Sequence, residues 1–348
     1  MIRTHIIEYI YTNKELEGLA FKDLEKLIQG VTHNSLCMVD IMMITSEYAA
    51  FVHIEKGNHI FQQIPMDTFY NKNTFEKFMK ICIKNEIGIP RNEIDRFFIL
   101  GGHCNGWRCY IDNDTVDMKM LRDVFITEKI DFDMICLDAC YTSTLEVLYQ
   151  FSDLSRYIIA HQVYVNGNGF NTKHISKIFD KPIKLEKKLI LSCLDYIVNT
   201  IENAEFESVT LIDTSKFNIF MELYKMNYMK IKLNMNNKFL QDNYTTDICT
   251  HHMGDCMNMK EHSDDCFQSP CNNMLDLYYL IKMTDMEMLK ILEESVFYRQ
   301  NGIKKNVKYY RMNQHFKGIN VMIDPKKSDT LENYNTYYTK LRFFEDFN

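Results

Sequence analysis

The sequence predicts an α/β protein: a central, mostly parallel sheet with helices on both faces. Short unbroken apolar runs at 96–100, 133–139 and 157–160 each close in a glycine-rich or polar loop, as strands buried on both faces do. Segments with apolar residues at helical spacing alternate with these runs. With 46% hydrophobic residues over 348 positions a large core can form, and 12 Gly and 5 Pro spread along the chain leave no linker, so one compact unit with elaborations is expected.

The elements follow in order. Residues 4–11 alternate and are rich in β-branched and aromatic side chains, which predicts a strand; Asn13 then caps a helix carrying Leu16, Leu19, Leu24 and Leu27. Two strands, 35–44 and 48–54, join through the polar turn Thr45-Ser46-Glu47, and 73–84 is helical by Phe75, Phe78, Ile81 and Cys82. The run Phe97-Phe98-Ile99-Leu100 ends in Gly101-Gly102, and 133–139 is a second buried strand before a helix over 144–151. A third, 157–160, closes in Asn166-Gly167-Asn168-Gly169, ahead of helices at 171–179 and 185–202 and a strand at 206–212. Residues 225–237 are too polar to type. Beyond them, 274–298 reads as helix, 318–323 as strand and 331–347 as an aromatic-rich helix whose Tyr337, Tyr338, Phe343 and Phe344 face the core. The resulting organisation is a core over 1–230, a Cys- and His-rich insertion over 231–273 and an elaboration over 274–348 that packs back on the core.

A formal net charge of −7 implies no broad basic face, so nucleic acid and an acidic lipid surface are not expected partners. The longest apolar stretch, near 189–201, is broken by Ser192, Asp195 and Asn199 and is too short for a membrane span of about 20 apolar residues. Arg3 and Glu8 interrupt what would be the apolar part of a signal peptide. With eleven cysteines, an odd number, this predicts free thiols and an intracellular location. Abundant Ile, Asn, Lys, Tyr and Met reflect an A+T-rich genome, such as that of a large DNA virus or a protist, which would put the protein in host cytoplasm or a virion.

Side chains that do chemistry collect at the carboxyl ends of strands in an open α/β sheet. Gly101-Gly102-His103-Cys104-Asn105-Gly106-Trp107 leaves one such end and Asp138-Ala139-Cys140-Tyr141 leaves another. If the two strands are neighbours, His103 and Cys140 project into one crevice. An imidazole beside a thiol is the minimum for acyl transfer through a thioester. The predicted helix after Cys140 would favour its thiolate, and His103 would hold a proton for the leaving amine. A buried Cys and a Gly-Gly-His turn also occur for purely structural reasons, and Asp138 has an alternative duty receiving N–H groups at its own helix start. Cys104, Cys109 and Cys136 read as apolar packing.

These motifs resemble those of the clostripain-like cysteine peptidases, which read H-G-G-G-W and D-A-C-L-M followed by a helix with E-V; here Trp107 and Glu146-Val147 fall in the matching places. The likeness extends to Tyr9-Ile10-Tyr11 with Asn13-Lys14-Glu15-Leu16-Glu17, to Tyr157-Ile158-Ile159-Ala160, to Val209-Thr210-Leu211-Ile212-Asp213 and to the closing segment. It implies a caspase-like fold and a peptide or protein substrate. It also implies Cys140 as nucleophile, His103 as acid, and the backbone N–H groups of Cys104 and Cys140 as the oxyanion hole. Asp138 would line the pocket for the residue before the scissile bond, with preference for Arg or Lys. Three positions depart from the pattern. Cys104 replaces a Gly where a positive φ is a concern, His161-Gln162 replaces Ser-Glu, and Asn168 stands where basic-specific relatives carry Asp. These departures favour the alternative, a catalytically silent scaffold or binding protein. The family's cleavage between His and Cys would have Arg108, Lys119, Arg122 and Lys129 as basic candidates here.

The insertion holds Cys249, Cys256, Cys266 and Cys271 with His251, His252 and His262, enough ligands for tetrahedral zinc but in no compact zinc spacing; Asp255, Asp264 and Asp265 would suit calcium. No metal or cofactor is assigned, and the sequence leaves the oligomeric state open.

Overall fold

A computed structural model of the chain describes residues 3–12, 14–45, 47, 49–64, 72–104, 106, 108–111, 114–162, 165, 169–170, 172–200, 206–237, 245–248, 272–303, 317–322 and 341–347. The chain opens with strand β1 (Arg3–Tyr11), helix α1 (Lys14–Gly30), strands β2 (Cys37–Ile44), β3 (Ala49–Glu55) and β4 (Asn58–Gln63), and helix α2 (Lys72–Asn85). There follow β5 (Ile94–Gly102), a hairpin of β6 (Arg108–Ile111) and β7 (Asp114–Asp117), α3 (Met118–Thr127), β8 (Phe132–Asp138), α4 (Leu145–Phe151) and β9 (Ser155–Ala160). The second half holds α5 (Thr172–Phe179), α6 (Leu185–Thr200), β10 (Phe206–Asp213), α7 (Thr214–Met226) and α8 (Tyr228–Met235). The last elements are β11 (Thr245–Ile248), β12 (Asn272–Asp276), α9 (Leu277–Thr284), α10 (Met286–Ser295), β13 (Val296–Ile303), β14 (Asn320–Met322) and α11 (Arg342–Phe347).

Nine strands form the main sheet in the order β13-β10-β9-β8-β5-β1-β2-β3-β4. Its centre, β9-β8-β5-β1-β2, is parallel throughout, and both edges are antiparallel. The centre strands are apolar on both sides because helices cover both sides. Ile7, Tyr9, Phe98 and Leu100 face Phe75, Phe78 and Phe125 of α2 and α3, while Ile6, Ile10 and Ile99 face Leu24, Leu27 and Tyr196 of α1 and α6. Phe125 packs edge-on against Phe98 and Phe132, at centroid distances of 5.0 and 4.7 Å.

Three segments differ from the sequence reading. Residues 225–226 and 228–235, untyped in the sequence, are helical, in α7 and α8. The stretch 274–298 is not one helix: Asp276 and Asp285 cap two short helices, and Val296 begins an antiparallel edge strand of the main sheet. Strand β4 is exposed along its whole length and carries no apolar alternation to betray it. Of the predicted C-terminal helix, only α11 lies within the described residues; Phe343 is buried there, and Tyr337 and Tyr338 lie outside them.

At the N-terminal end of the parallel strands sits a buried polar network. His5 meets Glu86 at 2.7 Å and Asp40 at 3.0 Å, His53 and Asn85 close on Asp40 at 2.6 and 2.9 Å, and Arg96 Nε donates to Glu86 at 2.9 Å. Burial would raise both carboxyls, but these donors outweigh it and hold Asp40 and Glu86 down at about 2. Burial opposes the charge on His5, yet its two carboxylate partners raise its pKa.

Candidate active site

The site is built at the opposite, C-terminal edge of the sheet. Strands β5 and β8 are adjacent and parallel, with Gly101 opposite Asp138. His103 and Cys140, each two residues further on, therefore leave the sheet side by side. The turn into His103 depends on Gly102, at φ +145°, where a Cβ would run into the Tyr11 carbonyl of β1. The two loops are tied directly, the Gly106 N–H donating to the Cys140 carbonyl at 3.1 Å.

Cys104 is not a packing thiol. It forms a disulfide with Cys109, and the same two residues make an antiparallel bridge. The expected bystander role of this pair is thus corrected, since their side chains close the loop that carries Gly106 and follows His103. Cys104 is absent from the residues at positive φ, so the feared distortion at that position does not arise. Among the described residues Cys37, Cys82, Cys136, Cys140 and Cys193 are free thiols; burial pushes the Cys136 thiol well up, which makes it inert.

Cys140 is half-buried. The expected support from a helix start is not there, because α4 begins at Leu145 with Thr144 as its cap. The donor near sulfur is instead the Val165 N–H, 3.3 Å from Sγ, a hydrogen bond that favours the thiolate. Tyr141, next in sequence, sits at φ +59°, an uncommon conformation for a bulky residue. Ser143 then anchors the loop: its N–H donates to the His161 carbonyl at 2.9 Å, its hydroxyl to the Gly318 carbonyl, and its carbonyl accepts the Asn320 N–H at 2.8 Å.

Behind that loop lies a bracket that sequence reasoning missed. Gln162 donates through Nε2 to Asp276 at 2.9 Å and to Asn320 at 2.8 Å, and accepts the Gly318 N–H on Oε1 at 2.8 Å. All three side chains are buried. The C-terminal segment therefore holds the Cys140 loop from behind, and Gln rather than Glu suits a position beside the buried Asp276. Only the paired departure His161-Gln162 hinted at it.

Asp138 does not receive N–H groups at its own helix start; Oδ2 accepts the Phe170 N–H at 3.0 Å. Gly169, at φ +47°, lies over it so closely that a Cβ would come within 2.5 Å of Oδ2. Oδ1 is 3.5 Å from His161 Nε2. His161 Nδ1 donates to the Ser208 carbonyl at 2.8 Å, which leaves Nε2 as an acceptor in the neutral ring. Burial pushes Asp138 up to about 7 and His161 down to about 4, favouring the neutral form of each. Asn168 lies outside the described residues, as do the cysteines and histidines of the 231–273 insertion from 249 onward. No group of three His, Cys, Asp or Glu among the described residues could hold a metal, and no helix among them is long and apolar enough to cross a membrane.

Residues 8–348 match the sequence model of the peptidase C11, or clostripain, family. The chain belongs to that family. It is a cysteine-type peptidase by membership, with a peptide or protein substrate. Among curated proteins no sequence matches. Among solved structures, this clostripain-family chain is similar to iotapain, a secreted C11 cysteine protease of Bacteroides thetaiotaomicron, at 12% identity and a TM-score of 0.68, covering 100% of this chain and 99% of that one. A structure of a secreted C11 protease from the same organism with an irreversible peptide inhibitor gives 13% and 0.69, covering 100% and 99%. An inactive zymogen C11 protease of Parabacteroides distasonis gives 14% and 0.64, covering 99% and 98%. The fold is the caspase-like one. The expectation of an intracellular, perhaps viral, protein is corrected: these neighbours are bacterial and two are described as secreted, and the Cys104–Cys109 disulfide suits an oxidising compartment.

Proposed function

We propose that the protein is an endopeptidase that cleaves through a Cys140–His103 dyad. The observation that carries this reading is the β5–β8 register, which brings the two residues out of the sheet side by side. The Cys140 thiolate, supported by the Val165 N–H, attacks the scissile carbonyl carbon, and the carbonyl electron pair moves onto oxygen. Backbone N–H groups of Cys140 and Cys104 stabilise that oxyanion, the latter held by the disulfide. Collapse expels the amine, which takes its proton from His103 and leaves a thioester. Water, losing a proton to His103, then attacks the thioester, which releases the acid and restores the thiolate beside a protonated His103.

Asp138 lies two residues before the nucleophile and supports a preference for a basic side chain before the scissile bond. The reaction is complete with thiol, imidazole and water and calls for no cofactor. The test is hydrolysis of fluorogenic peptides varied at that residue by the native chain, Cys140→Ala and His103→Ala. Turnover falling by at least roughly 10³-fold in both variants is expected. Silence of the native chain across the set, without labelling of Cys140 by a peptide electrophile, would leave a scaffold that kept the residues.

A further inference from the structure

Glu8 belongs to no part of the reaction derived above, yet its placement is costly. It lies on β1, 4% exposed, and its Oε2 finds no hydrogen-bond partner among the described residues. A buried carboxyl oxygen without a partner is unfavourable unless something uses it. It shares a sheet face with Asp138, because Glu8 pairs with Ile99, Ile99 with Cys136, and Asp138 follows two residues later. The two lie two strands apart, about 9–10 Å across the sheet, and two residues, roughly 6–7 Å, along it, which leaves room for the end of a lysine or arginine side chain between their carboxyls. Between them stands Gly101, where a Cβ would meet nothing within 4 Å. The face is thus open between the two carboxyls where a larger residue would close it. Asp23, on α1 above this face, completes the group and is held at 3.0 Å by Lys26.

We infer that the side chain before the scissile bond enters a slot past Gly101 whose floor is Glu8 and whose walls are Asp138 and Asp23, so that a long basic residue is recognised by three carboxyls rather than by Asp138 alone. The inference rests on the peptidase reading of the site. His161 stands beside the Asp138 wall, its Nε2 3.5 Å from Oδ1, and burial keeps its ring neutral, so it adds no positive charge that would compete with a substrate cation. Among the described residues the titratable groups facing the slot are Glu8 from β1, Asp23 and Lys26 from α1, Cys136 and Asp138 from β8, His161 after β9, and Cys193 and Tyr196 from α6.

Burial and mutual repulsion raise the acids, Asp23 to about 6 by burial, Asp138 to about 7 by burial and the Asp23 charge, and Glu8 well up by burial and then by Asp23 and Asp138. A bound cation favours their ionised forms, so binding releases protons. The kcat/KM for basic substrates should therefore rise across about pH 6 to 7, and that for uncharged ones should not show this rise.

The experiment compares peptides with Arg or Lys against citrulline or norleucine before the cleaved bond. In Glu8→Gln the ratio of kcat/KM for Arg over citrulline should fall on the order of 10- to 100-fold, and Glu8→Asp should recover part of it. An unchanged ratio, or an equal loss on both peptides, overturns the slot. Calorimetry on full-length Cys140→Ala, in two buffers of different ionisation enthalpy, supplies the second reading. Proton release on binding the Arg peptide, reduced by Glu8→Gln, supports the slot even if the native chain turns over nothing, in which case only the peptidase reading falls. Equal affinity for Arg and citrulline peptides, without proton release, overturns the slot whether or not the enzyme is active.

Discussion

His5 and Glu8 are three positions apart on β1, both buried, and their surroundings could hardly differ more. His5 stands at the N-terminal end of the parallel strands among Asp40, Glu86 and, through Glu86, Arg96. Every charge there has a partner, and the carboxyls are driven down to about 2. Glu8 points to the other face toward the C-terminal edge, where Asp138, Asp23 and Asp276 are driven up to about 7, 6 and 7 by the same burial with too few donors to offset it. Burial is common to both ends; the strength of the pairing is what differs. The end where charged partners outweigh burial is a clamp on the sheet, and the end where burial outweighs the donors is where a cationic ligand has something to add.

The largest expected effect tests that contrast directly. Glu86→Ala strips the shared partner from His5 and Arg96 and leaves buried cations, so stability should fall by roughly 3–5 kcal/mol in denaturant titrations. Glu8→Gln should leave stability at neutral pH unchanged or raised, since it removes a carboxyl with no hydrogen bond on Oε2. Equal losses in the two variants would erase the distinction.

A pH series sharpens the same contrast, because the two ends contribute with opposite sign. Asp40 and Glu86 are depressed, so their contribution is full above the unfolded carboxyl pKa near 4 and is lost as pH falls toward about 2. Asp138, Asp276 and Asp23 are raised, so the folded state holds protons that the unfolded chain gives up, and stability declines as pH climbs from about 4 through 6 and 7. His5, also raised, adds stability below its unfolded pKa near 6.5 that is lost as pH passes its folded value. The urea midpoint should therefore peak on the mildly acid side and be lower at about pH 8 than at about pH 5. A midpoint higher at pH 8 would mean that the donors around the upper carboxyls outweigh their burial.

The contrast also separates what the sequence discloses from what it hides. The parallel centre of the sheet was legible because β1, β5, β8 and β9 are apolar on both faces, and His103 and Cys140 drew notice because strand ends mark where such residues collect. Their adjacency needed the strand order. The exposed edge strand β4 and the short pieces of 274–303 carry too little periodicity to type, and their structure comes from pairing with distant segments. Glu8 was hidden inside an apolar strand, where one acid reads as an interruption. Gln162 and Asp276 lie 114 positions apart, and only tertiary structure brings them together.

A smaller effect is expected at that bracket. Gln162→Glu replaces the donor to Asp276 with a second buried carboxyl 2.9 Å away, and one of the two must stay protonated. Stability at neutral pH should drop by about 2 kcal/mol and recover in acid, a pH response that a simple packing defect would not produce.

The smallest effect concerns the loop after His103. The Cys104–Cys109 disulfide and the Gly106 N–H bond to the Cys140 carbonyl both fix that loop, so removing the disulfide loosens the Cys104 N–H without deleting it. On the proposed role of the Cys104 N–H as an oxyanion donor, full loss would cost about 10²- to 10³-fold in rate, and a loosened donor should cost about tenfold. In Cys104→Ala/Cys109→Ala the loss should fall on kcat rather than KM, because the oxyanion exists only after attack. A change confined to KM would instead place the loop in substrate binding. No change in either constant would mean that the remaining bond to Cys140 holds the donor by itself.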